Sequence, residues 1–216
     1  FTGSFQHDLF FGSLIYGVIS LDGLPDDANT GVFGRAEPTP DSSDAWTVTA
    51  ATSIGTSGNA IAVDANGYAY ITGIFTGGVT NGAQHIVSGG SNDVFVAKFT
   101  PDGNLVWLRG IGGAKDDSGS AIAIDTYGNC YVAGYFTSAM VVGTNNLISN
   151  GSGDRDLFVA KLDNGGNPLW AISAGGAQDD EATGIAVDPA GNCFIAGNVQ
   201  GNVVLPGQPN LQVDGP

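Results

Sequence analysis

The stretch Ala121-Ile122-Ala123-Ile124-Asp125-Thr126-Tyr127-Gly128-Asn129-Cys130-Tyr131-Val132-Ala133-Gly134-Tyr135-Phe136 decides the fold, because the chain contains it in three versions. The first reads AIAVDANGYAYITGIF over residues 60–75, and the last reads GIAVDPAGNCFIAGNV over residues 184–199. The glycine of the central turn falls at positions 67, 128 and 191, so the period is 61 and then 63 residues. Repetition at such a spacing predicts an array of similar structural units.

Each copy predicts a β-hairpin. Two short runs rich in β-branched and aromatic residues flank a turn that begins with aspartate and contains glycine. Glycine supplies a positive φ without steric cost, and an aspartate side chain accepts main-chain N–H bonds inside a turn. We therefore interpret Asp64, Asp125 and Asp188 as turn formers.

Two further strands complete the predicted repeat. The third strand reads DVFVAK at 93–98 and DLFVAK at 156–161, and the fourth contains LVWL at 105–108 and LWAI at 169–172. Strong turn sequences, TPDG at 100–103 and DNGG at 163–166, separate them. The segments 76–92 and 137–155 are long connections between the second and third strands. Trp46, Trp107 and Trp170 keep the same spacing and are interpreted as packing anchors, with a sugar-stacking platform as the alternative.

The strands are apolar on both faces, and this decides between all-β architectures. An antiparallel sheet with one wet face alternates apolar and polar residues, whereas these runs are nearly continuous. Four-stranded antiparallel blades packed face to face around an axis, as in a β-propeller, cover both faces. We predict a single all-β propeller region over 1–216, with repeats at about 1–57 (partial and divergent), 58–118, 119–181 and 182–216 (partial), and no helix.

About three repeats leave the propeller open. Closed propellers typically need four or more blades, and open blades expose unpaired edges. We expect either a piece of a longer polypeptide or several chains that complete one ring, with self-association through the open blade edges.

Composition excludes several partners. Six lysines and arginines stand against 21 aspartates and glutamates, for a formal charge of -15. Such acidity disfavours nucleic acid and anionic membrane surfaces. An apolar run of 18 residues is absent from the sequence, so no membrane insertion is expected. Cys130 and Cys193 occupy the same position in successive repeats and are predicted to be small, buried, unpaired residues.

Paired acids form the candidate metal site. Asp116 and Asp117 follow one glycine pair, and Asp179 and Asp180 follow another. Clustered carboxylates can bind Ca²⁺, which takes six to eight oxygen ligands. The alternative interpretation is a set of turns whose acids cap main-chain N–H groups. No other cofactor is expected.

Catalytic motifs are lacking. His7 and His85 are isolated, and the sequence contains no nucleophile elbow, zinc-protease motif or phosphate loop. We therefore predict no catalytic residues and no enzymatic activity. Lys98 and Lys161, with Asp93 and Asp156 at the opposite ends of the third strands, are interpreted as points where the strand meets water.

The strings at 93–107 (DVFVAKFTPDGNLVW) and 121–136 resemble the SBBP repeat, the bacterial "seven-bladed β-propeller" repeat. The resemblance covers about 50–216 well and 1–49 weakly. Residues 31–51 depart from the pattern, with Gly34 and Arg35 in place of the Val-Ala core of the third strand. The resemblance implies large secreted or surface-attached bacterial proteins, and it supplies no catalytic residues.

The expected function is a non-catalytic extracellular or cell-surface module that acts as a structural, adhesive or protein-interaction scaffold. The alternative is a lectin-like or calcium-dependent binding module that uses the four acids and nearby aromatic residues. Expected partners are therefore a protein or a glycan at the cell surface. An enzyme of the propeller-hydrolase kind is a third possibility, disfavoured because the repeated positions are structural.

Overall fold

A computed structural model describes residues 31–35, 46–50, 56–204 and 211–212 of the chain, with side chains over 56–204. This part of the chain is all β and contains no helix, so none is long and apolar enough to cross a membrane. The strands are β1 (Gly31–Arg35), β2 (Trp46–Ala50), β3 (Thr56–Val63), β4 (Ala69–Phe75), β5 (Gly78–Asn81), β6 (Gln84–Val87), β7 (Asp93–Phe99), β8 (Leu105–Gly113), β9 (Asp117–Ile124), β10 (Cys130–Thr137), β11 (Ala139–Val142), β12 (Asn145–Ile148), β13 (Arg155–Leu162), β14 (Pro168–Ala174), β15 (Glu181–Val187), β16 (Cys193–Asn198), β17 (Asn202–Val203) and β18 (Leu211–Gln212).

Two complete blades form the centre of the structure. In the first blade β3, β4, β7 and β8 pair side by side and antiparallel, and in the second blade β9, β10, β13 and β14 do the same. The hairpins β1–β2 and β15–β16 repeat the outer and inner halves of a blade. The predicted antiparallel, propeller-like blades are confirmed, and the strands of the described residues do not close a ring.

One loop design makes both kinds of turn within a blade. In the inner turn, between the first two strands, the Asp125 carboxylate accepts the main-chain N–H groups of Tyr127 and Asn129, both at 2.9 Å. In the outer turn, between the last two strands, Asp163 accepts those of Gly165 and Asn167 in the same way. The φ of +78° at Gly128 is the left-handed conformation that this loop requires. The inner-turn aspartates are turn formers, as predicted.

The core lies between the blades. On β4 and β7, one set of alternate residues, including Tyr70 and Val96, packs against residues of the second blade such as Cys130, Val132 and Phe158. The other set, including Ile71, Phe95 and Phe99, forms a separate cluster on the opposite face. Every residue of β7 is buried. Apolar strands are thus covered on both faces, which confirms the argument that favoured a propeller over a sandwich.

The connection between the second and third strands contains an additional hairpin, so a complete repeat has six strands rather than the predicted four. Strands β5 and β6 pair in the first repeat, and β11 and β12 pair in the second. Strand β11 then joins the outer strand of the preceding blade, with Met140 opposite Gly113 and Val141 opposite Gly112. One repeat later, Val204 and Gly175 form the corresponding bridge. The inserted segments of the second and third repeats therefore pair with the edge of the blade before them, whereas β5–β6 pairs only with itself among the described strands.

The glycine pair at the end of each complete blade makes room for two neighbours. A Cβ at Gly112 would lie 2.4 Å from Cγ of Asp93, and a Cβ at Gly113 would lie 1.9 Å from the main-chain oxygen of Ala139 on the inserted hairpin. The corresponding distances for the Gly175-Gly176 pair are 2.3 and 2.2 Å. The first glycine accommodates a buried aspartate, and the second accommodates the hairpin of the next repeat.

The strand register corrects the interpretation of the divergent first repeat. β1 and β2 pair as a third and a fourth strand, but Arg35 does not replace the Val-Ala core. Arg35 lies opposite Trp46, as Lys98 lies opposite Trp107 and Lys161 opposite Trp170. A basic residue is therefore the register partner of the recurrent tryptophan in all three repeats.

The two cysteines are free thiols. Cys130 is fully buried, as predicted, and burial raises the pKa of its thiol. Cys193 is only half-buried, because β16 pairs with β15 alone among the described strands and its other edge lacks the covering that β13 gives to β10.

Candidate interaction site at the junction between blades

The inner turns (64–67, 125–128 and 188–191) and the outer turns (100–103 and 163–166) lie at one end of the blades, which we call the turn face. A four-residue cluster of Asp64, Tyr70, Lys98 and Trp107 supports it in the first blade. The Tyr70 hydroxyl donates to the Asp64 carboxylate over 3.3 Å, and the Lys98 ammonium lies 4.9 Å from the centre of the Tyr70 ring. The Trp107 ring stands edge-on to Tyr70, with centroids 6.1 Å apart.

This cluster holds the second blade. The Trp107 indole donates to the main-chain oxygen of Asn164 over 2.9 Å, and the Lys98 ammonium donates to the Asn164 side-chain oxygen. The Tyr70 hydroxyl also lies 3.3 Å from the main-chain oxygen of Gly128. Both turns of the second blade are therefore bound to side chains of the first.

Arg109, on the outer strand of the first blade, adds a clamp on the same outer turn. Its guanidinium donates to the main-chain oxygens of Gly166 and Gly165 at 2.9 and 3.0 Å. Because a guanidinium carries several donors in a fixed plane, it satisfies two carbonyl groups of one turn at once. The main-chain carbonyl groups of this outer turn are thus bound by Trp107 and Arg109, in addition to the bond between Lys98 and the Asn164 side chain.

The second blade repeats the cluster with Asp125, Tyr131, Lys161 and Trp170. The Lys161 ammonium lies 3.3 Å from the Asp125 carboxylate and donates to the Tyr131 hydroxyl. The Trp170 ring again stands edge-on, 6.0 Å from that of Tyr131. The Tyr131 hydroxyl reaches the main-chain oxygen of Gly191, in the inner turn of the next repeat, over 3.4 Å. The cluster is therefore a repeated device that joins neighbouring repeats.

The interpretation of the strand-end charges as points of contact with water is wrong. Lys98 is only 5% exposed, and Asp93 and Asp156 are 4% and 0% exposed. Burial lowers the pKa of Lys98, whereas the hydrogen bond with the Tyr131 hydroxyl raises the pKa of Lys161. The local sequence gave no signal of this role, because the partners of each lysine are far away in sequence: Asn164 lies 66 positions from Lys98, and Tyr131 lies 30 positions from Lys161.

A groove of about 240 Å³ separates the inner turns of the first and second blades. We call it the inter-turn groove. Its walls are residues 63–66 and 124–128, with Asn164 of the outer turn at one side. Tyr127 is 78% exposed and Val63 is 61% exposed, whereas Asp125 is buried. The groove combines an exposed aromatic ring with amide, hydroxyl and carboxylate groups, and this combination suits the recognition of a polar ligand.

The four candidate calcium ligands lie at the opposite end of the blades, the loop face, where the structure uses them to cap main-chain N–H groups. Asp117 is fully buried and accepts the N–H groups of Gly113 and Thr137 at 2.7 and 3.1 Å. Asp180 is also fully buried and accepts the equivalent groups of Gly176 and Gln200 at 2.7 and 2.8 Å.

The exposed member of each pair binds a neighbouring loop. Asp116 accepts from the main chain and side chain of Asn92 at 3.3 and 3.0 Å, and Asp179 accepts the N–H of Arg155 at 3.0 Å. Among the residues with described side chains, no three or more histidines, cysteines or acids come together as a metal site. Calcium binding by Asp116, Asp117, Asp179 and Asp180 stays a prediction.

The loop face also contains carboxyl groups whose burial the sequence did not predict. One oxygen of Asp93 and one of Asp156 are buried without a hydrogen-bond partner. Burial raises the pKa of both groups and raises that of Asp117 to about 7, with the neighbouring Asp93 as a further cause. Thr56 takes the place of Asp117 in the first blade, since it pairs with Phe75 as Asp117 pairs with Phe136.

Comparison with known proteins supports the repeat architecture. No protein-family model matches the chain. One relative is described as an uncharacterized WD repeat-containing protein of Acanthamoeba polyphaga mimivirus, and it is 27% identical over 152 residues, which are 63% of this chain and 11% of the relative. The regulatory protein FlaEY of Caulobacter vibrioides is 30% identical over 120 residues, which are 55% of this chain and 12% of that protein.

The chain therefore spans only about a tenth of the length of these curated relatives. WD repeats form four-stranded propeller blades, and the two complete blades found here agree with that likeness. The chain is similar in part to a WD repeat-containing protein and has a propeller-like, repeat architecture.

Proposed function

We propose that the chain is a non-catalytic β-propeller module that acts as a protein-interaction scaffold. The observation that carries the proposal is the repeated cluster of Asp, Tyr, Lys and Trp, which joins each blade to the turns of the next. Such joints hold the turns of successive blades in a fixed relation, so the turn face presents one continuous, preformed surface. Pre-organised surfaces bind partners with little ordering cost. The likeness to a WD repeat-containing protein supports the same function.

The disposition of the ionisable groups supports a role without catalysis. An active site needs convergent groups with altered pKa values in an accessible cleft. Lys98 and Asp117 have altered pKa values but are buried. Each of them also contacts main-chain or side-chain groups of an adjacent element. These side chains therefore form hydrogen bonds that join strands and blades.

We further propose an extracellular or cell-surface location, with a structural or adhesive role. It rests on the resemblance of residues 93–107 and 121–136 to the SBBP repeat of bacterial surface proteins. The formal charge of -15 agrees with a highly soluble surface module. The proposed partner is a protein at the cell surface, and the strand edge of β16 offers a second place for self-association.

The test compares two surface variants of the 216-residue chain. The first replaces exposed apolar residues of the turn face, Val63→Ser with Tyr127→Ser. The matched control replaces exposed apolar residues of an inserted hairpin, Val141→Ser with Ile148→Ser, which are 51% and 65% exposed. Cross-linking followed by mass spectrometry, on cells that display each chain, identifies the partner proteins and the contact residues. We expect the turn-face variant to lose its partners and the hairpin variant to keep them. Equal loss in both, or contacts confined to the hairpins, would contradict the proposal.

Calcium-dependent binding stays the alternative role of the loop face. Asp116 and Asp179 are exposed acids, and each offers carboxylate oxygens of the kind that Ca²⁺ prefers beside the buried capping residues Asp117 and Asp180. Thermal unfolding in calcium and in chelator tests it. A midpoint that rises with calcium, and that no longer does so in Asp116→Asn with Asp179→Asn, supports this role. An unchanged midpoint leaves the acids as caps of the main chain.

A further inference from the structure

We propose that the inter-turn groove between the first and second blades binds one neutral sugar residue of a glycan. The inference goes beyond a protein-interaction scaffold and assigns the turn face a ligand of its own. The sugar would lie on the turn face, at the opposite end of the blades from the acids that the lectin-like alternative would use. The groove, its exposed ring and its free polar groups carry the inference.

The size of the groove fits a small ring. Its volume is about 240 Å³, just below the range of roughly 300–1,000 Å³ that is typical of pockets for drug-sized molecules. A single pyranose is smaller than a drug-sized molecule. Because one side of the groove is open to solvent along the two turns, the neighbouring units of an oligosaccharide can extend out of it. The groove therefore suits one bound sugar unit within a longer glycan.

Tyr127 provides the apolar contact. Its side chain is 78% exposed at the wall of the groove, whereas Tyr70 and Tyr131 are fully buried. A phenol ring offers an apolar face with a polar tip, which matches a sugar ring with its C–H face and peripheral hydroxyls. The exposed Tyr127 ring can therefore stack on the apolar face of a sugar ring while the polar groups beside it bind the sugar hydroxyls.

Asn66 on the opposite wall and Thr126 beside Tyr127 provide hydrogen-bonding groups that are free for a ligand. The side chains of Asn66 and Thr126 are exposed and make no hydrogen bond to any residue that the structure describes. A side-chain amide supplies donors and an acceptor, and a hydroxyl supplies both. Together they match adjacent sugar hydroxyls, each of which donates and accepts.

The charges of the groove favour a neutral sugar over an acidic one. Asp64 and Asp125 lie in the lining, and the two nearby lysines are already bound within the protein, Lys98 to Asn164 and Lys161 to Asp125 and Tyr131. An anionic sugar would be repelled by the carboxylates without gaining a free cation. Uronic and sialic acids are therefore disfavoured relative to neutral hexoses.

The third repeat provides the substitution that tests the site. At the position of Asn66 and Tyr127 the inner turn of the third repeat has Ala190, so alanine is compatible with this turn. The variants Tyr127→Ala and Asn66→Ala remove the proposed contacts, and Val141→Ser on the inserted hairpin is the control. Far-ultraviolet circular dichroism and the unfolding midpoint verify that each variant is folded.

The experiment screens the 216-residue chain on an array of neutral and acidic glycans, then measures affinity for the best neutral oligosaccharide by isothermal titration calorimetry. We expect binding to a neutral glycan with or without chelator, at least tenfold weaker in Tyr127→Ala and in Asn66→Ala, and unchanged in Val141→Ser. Three results would overturn the inference: binding to no neutral glycan, binding that survives both alanine variants, or binding that requires calcium. Partner proteins still cross-linked through the turn face would show that only the glycan inference had failed.

Discussion

The indole N–H of Trp107 donates a hydrogen bond to the main-chain oxygen of Asn164 over 2.9 Å, from the outer strand of one blade to the outer turn of the next. The two residues are 57 positions apart, close to one repeat period. Because the acceptor is a main-chain atom, the contact requires the tryptophan but no particular residue in the turn. The recurrent tryptophan is therefore a joint between blades as well as a packing anchor.

Trp107→Phe should destabilise the fold. Phenylalanine keeps most of the packing against Tyr70 but loses the hydrogen bond, and an unpaired carbonyl remains at Asn164. We expect a loss of about 1–2 kcal/mol in the free energy of unfolding, measured by urea denaturation. Trp170→Phe is the matched control, since its indole makes no hydrogen bond to the described residues. An equal loss in both variants would contradict a stabilising role for the hydrogen bond between Trp107 and Asn164.

The buried carboxyl of Asp117 should give the fold a pH dependence of stability between about pH 4 and 7. Its pKa is raised from 3.8 to about 7 in the folded state, mainly by burial. In that window the folded state binds the proton and the unfolded state does not, so stability falls as the pH rises. Asp93 and Asp156 contribute in the same direction.

The variant Asp117→Thr, which installs the residue that the first blade has at this position, should flatten that slope. Since one pKa unit corresponds to about 1.4 kcal/mol, the change across the window is a few kcal/mol at most. Urea unfolding at a series of pH values measures it. A slope that remains unchanged in the variant would argue that Asp117 is ionised in the folded protein.

The first glycine of the pair that ends each complete blade should resist substitution. Gly112→Ala places a Cβ 2.4 Å from the buried carboxyl of Asp93, which would have to move. We expect a loss of roughly 1–3 kcal/mol in unfolding free energy. Gly184→Ala is the control, because its Cβ would lie 3.5 Å from that of Ala196 in ordinary contact, and Ala60 and Ala121 are the equivalent residues of the other repeats. Similar losses in the two variants would contradict the close approach.

Acid should weaken the joint around Asp125. Burial alone would raise the pKa of this carboxyl, but the hydrogen bonds of Asn129 and Tyr127 and the contact with Lys161 together lower it. A lowered folded-state pKa stabilises the protein above about pH 4, and that stabilisation is lost as the pH falls through the folded-state value. Asp125→Asn should therefore be less stable than the parent chain at pH 7 and nearly equal to it at pH 2, as measured by thermal unfolding. A difference that persists at pH 2 would point to a cause other than charge.

The sequence predicted the blades because their signals are local. The hairpin over 60–75 contains both of its strands and its turn within sixteen residues, and its copies verify each other. The short hairpin β5–β6 also had a local signal, the turn dipeptide Asn81-Gly82, but its four-residue strands look like a loop when read alone.

The joints between blades had no such signal. Lys98 resembles the polar end of a strand until the second blade is in place, because Asn164 is 66 residues away. The inter-turn groove likewise requires two inner turns that the sequence places a full repeat apart. Local patterns therefore predict the elements of this fold, and the contacts that join repeats depend on a tertiary arrangement.

The pairing of an inserted segment with the edge of the preceding blade gives the array of repeats a direction. β11 pairs with the edge of β8, and Val204 pairs with Gly175, so in both cases the segment that covers the edge comes from the following repeat. During synthesis we therefore expect the edges of β8 and β14 to stay open until the following repeat has emerged and paired with them.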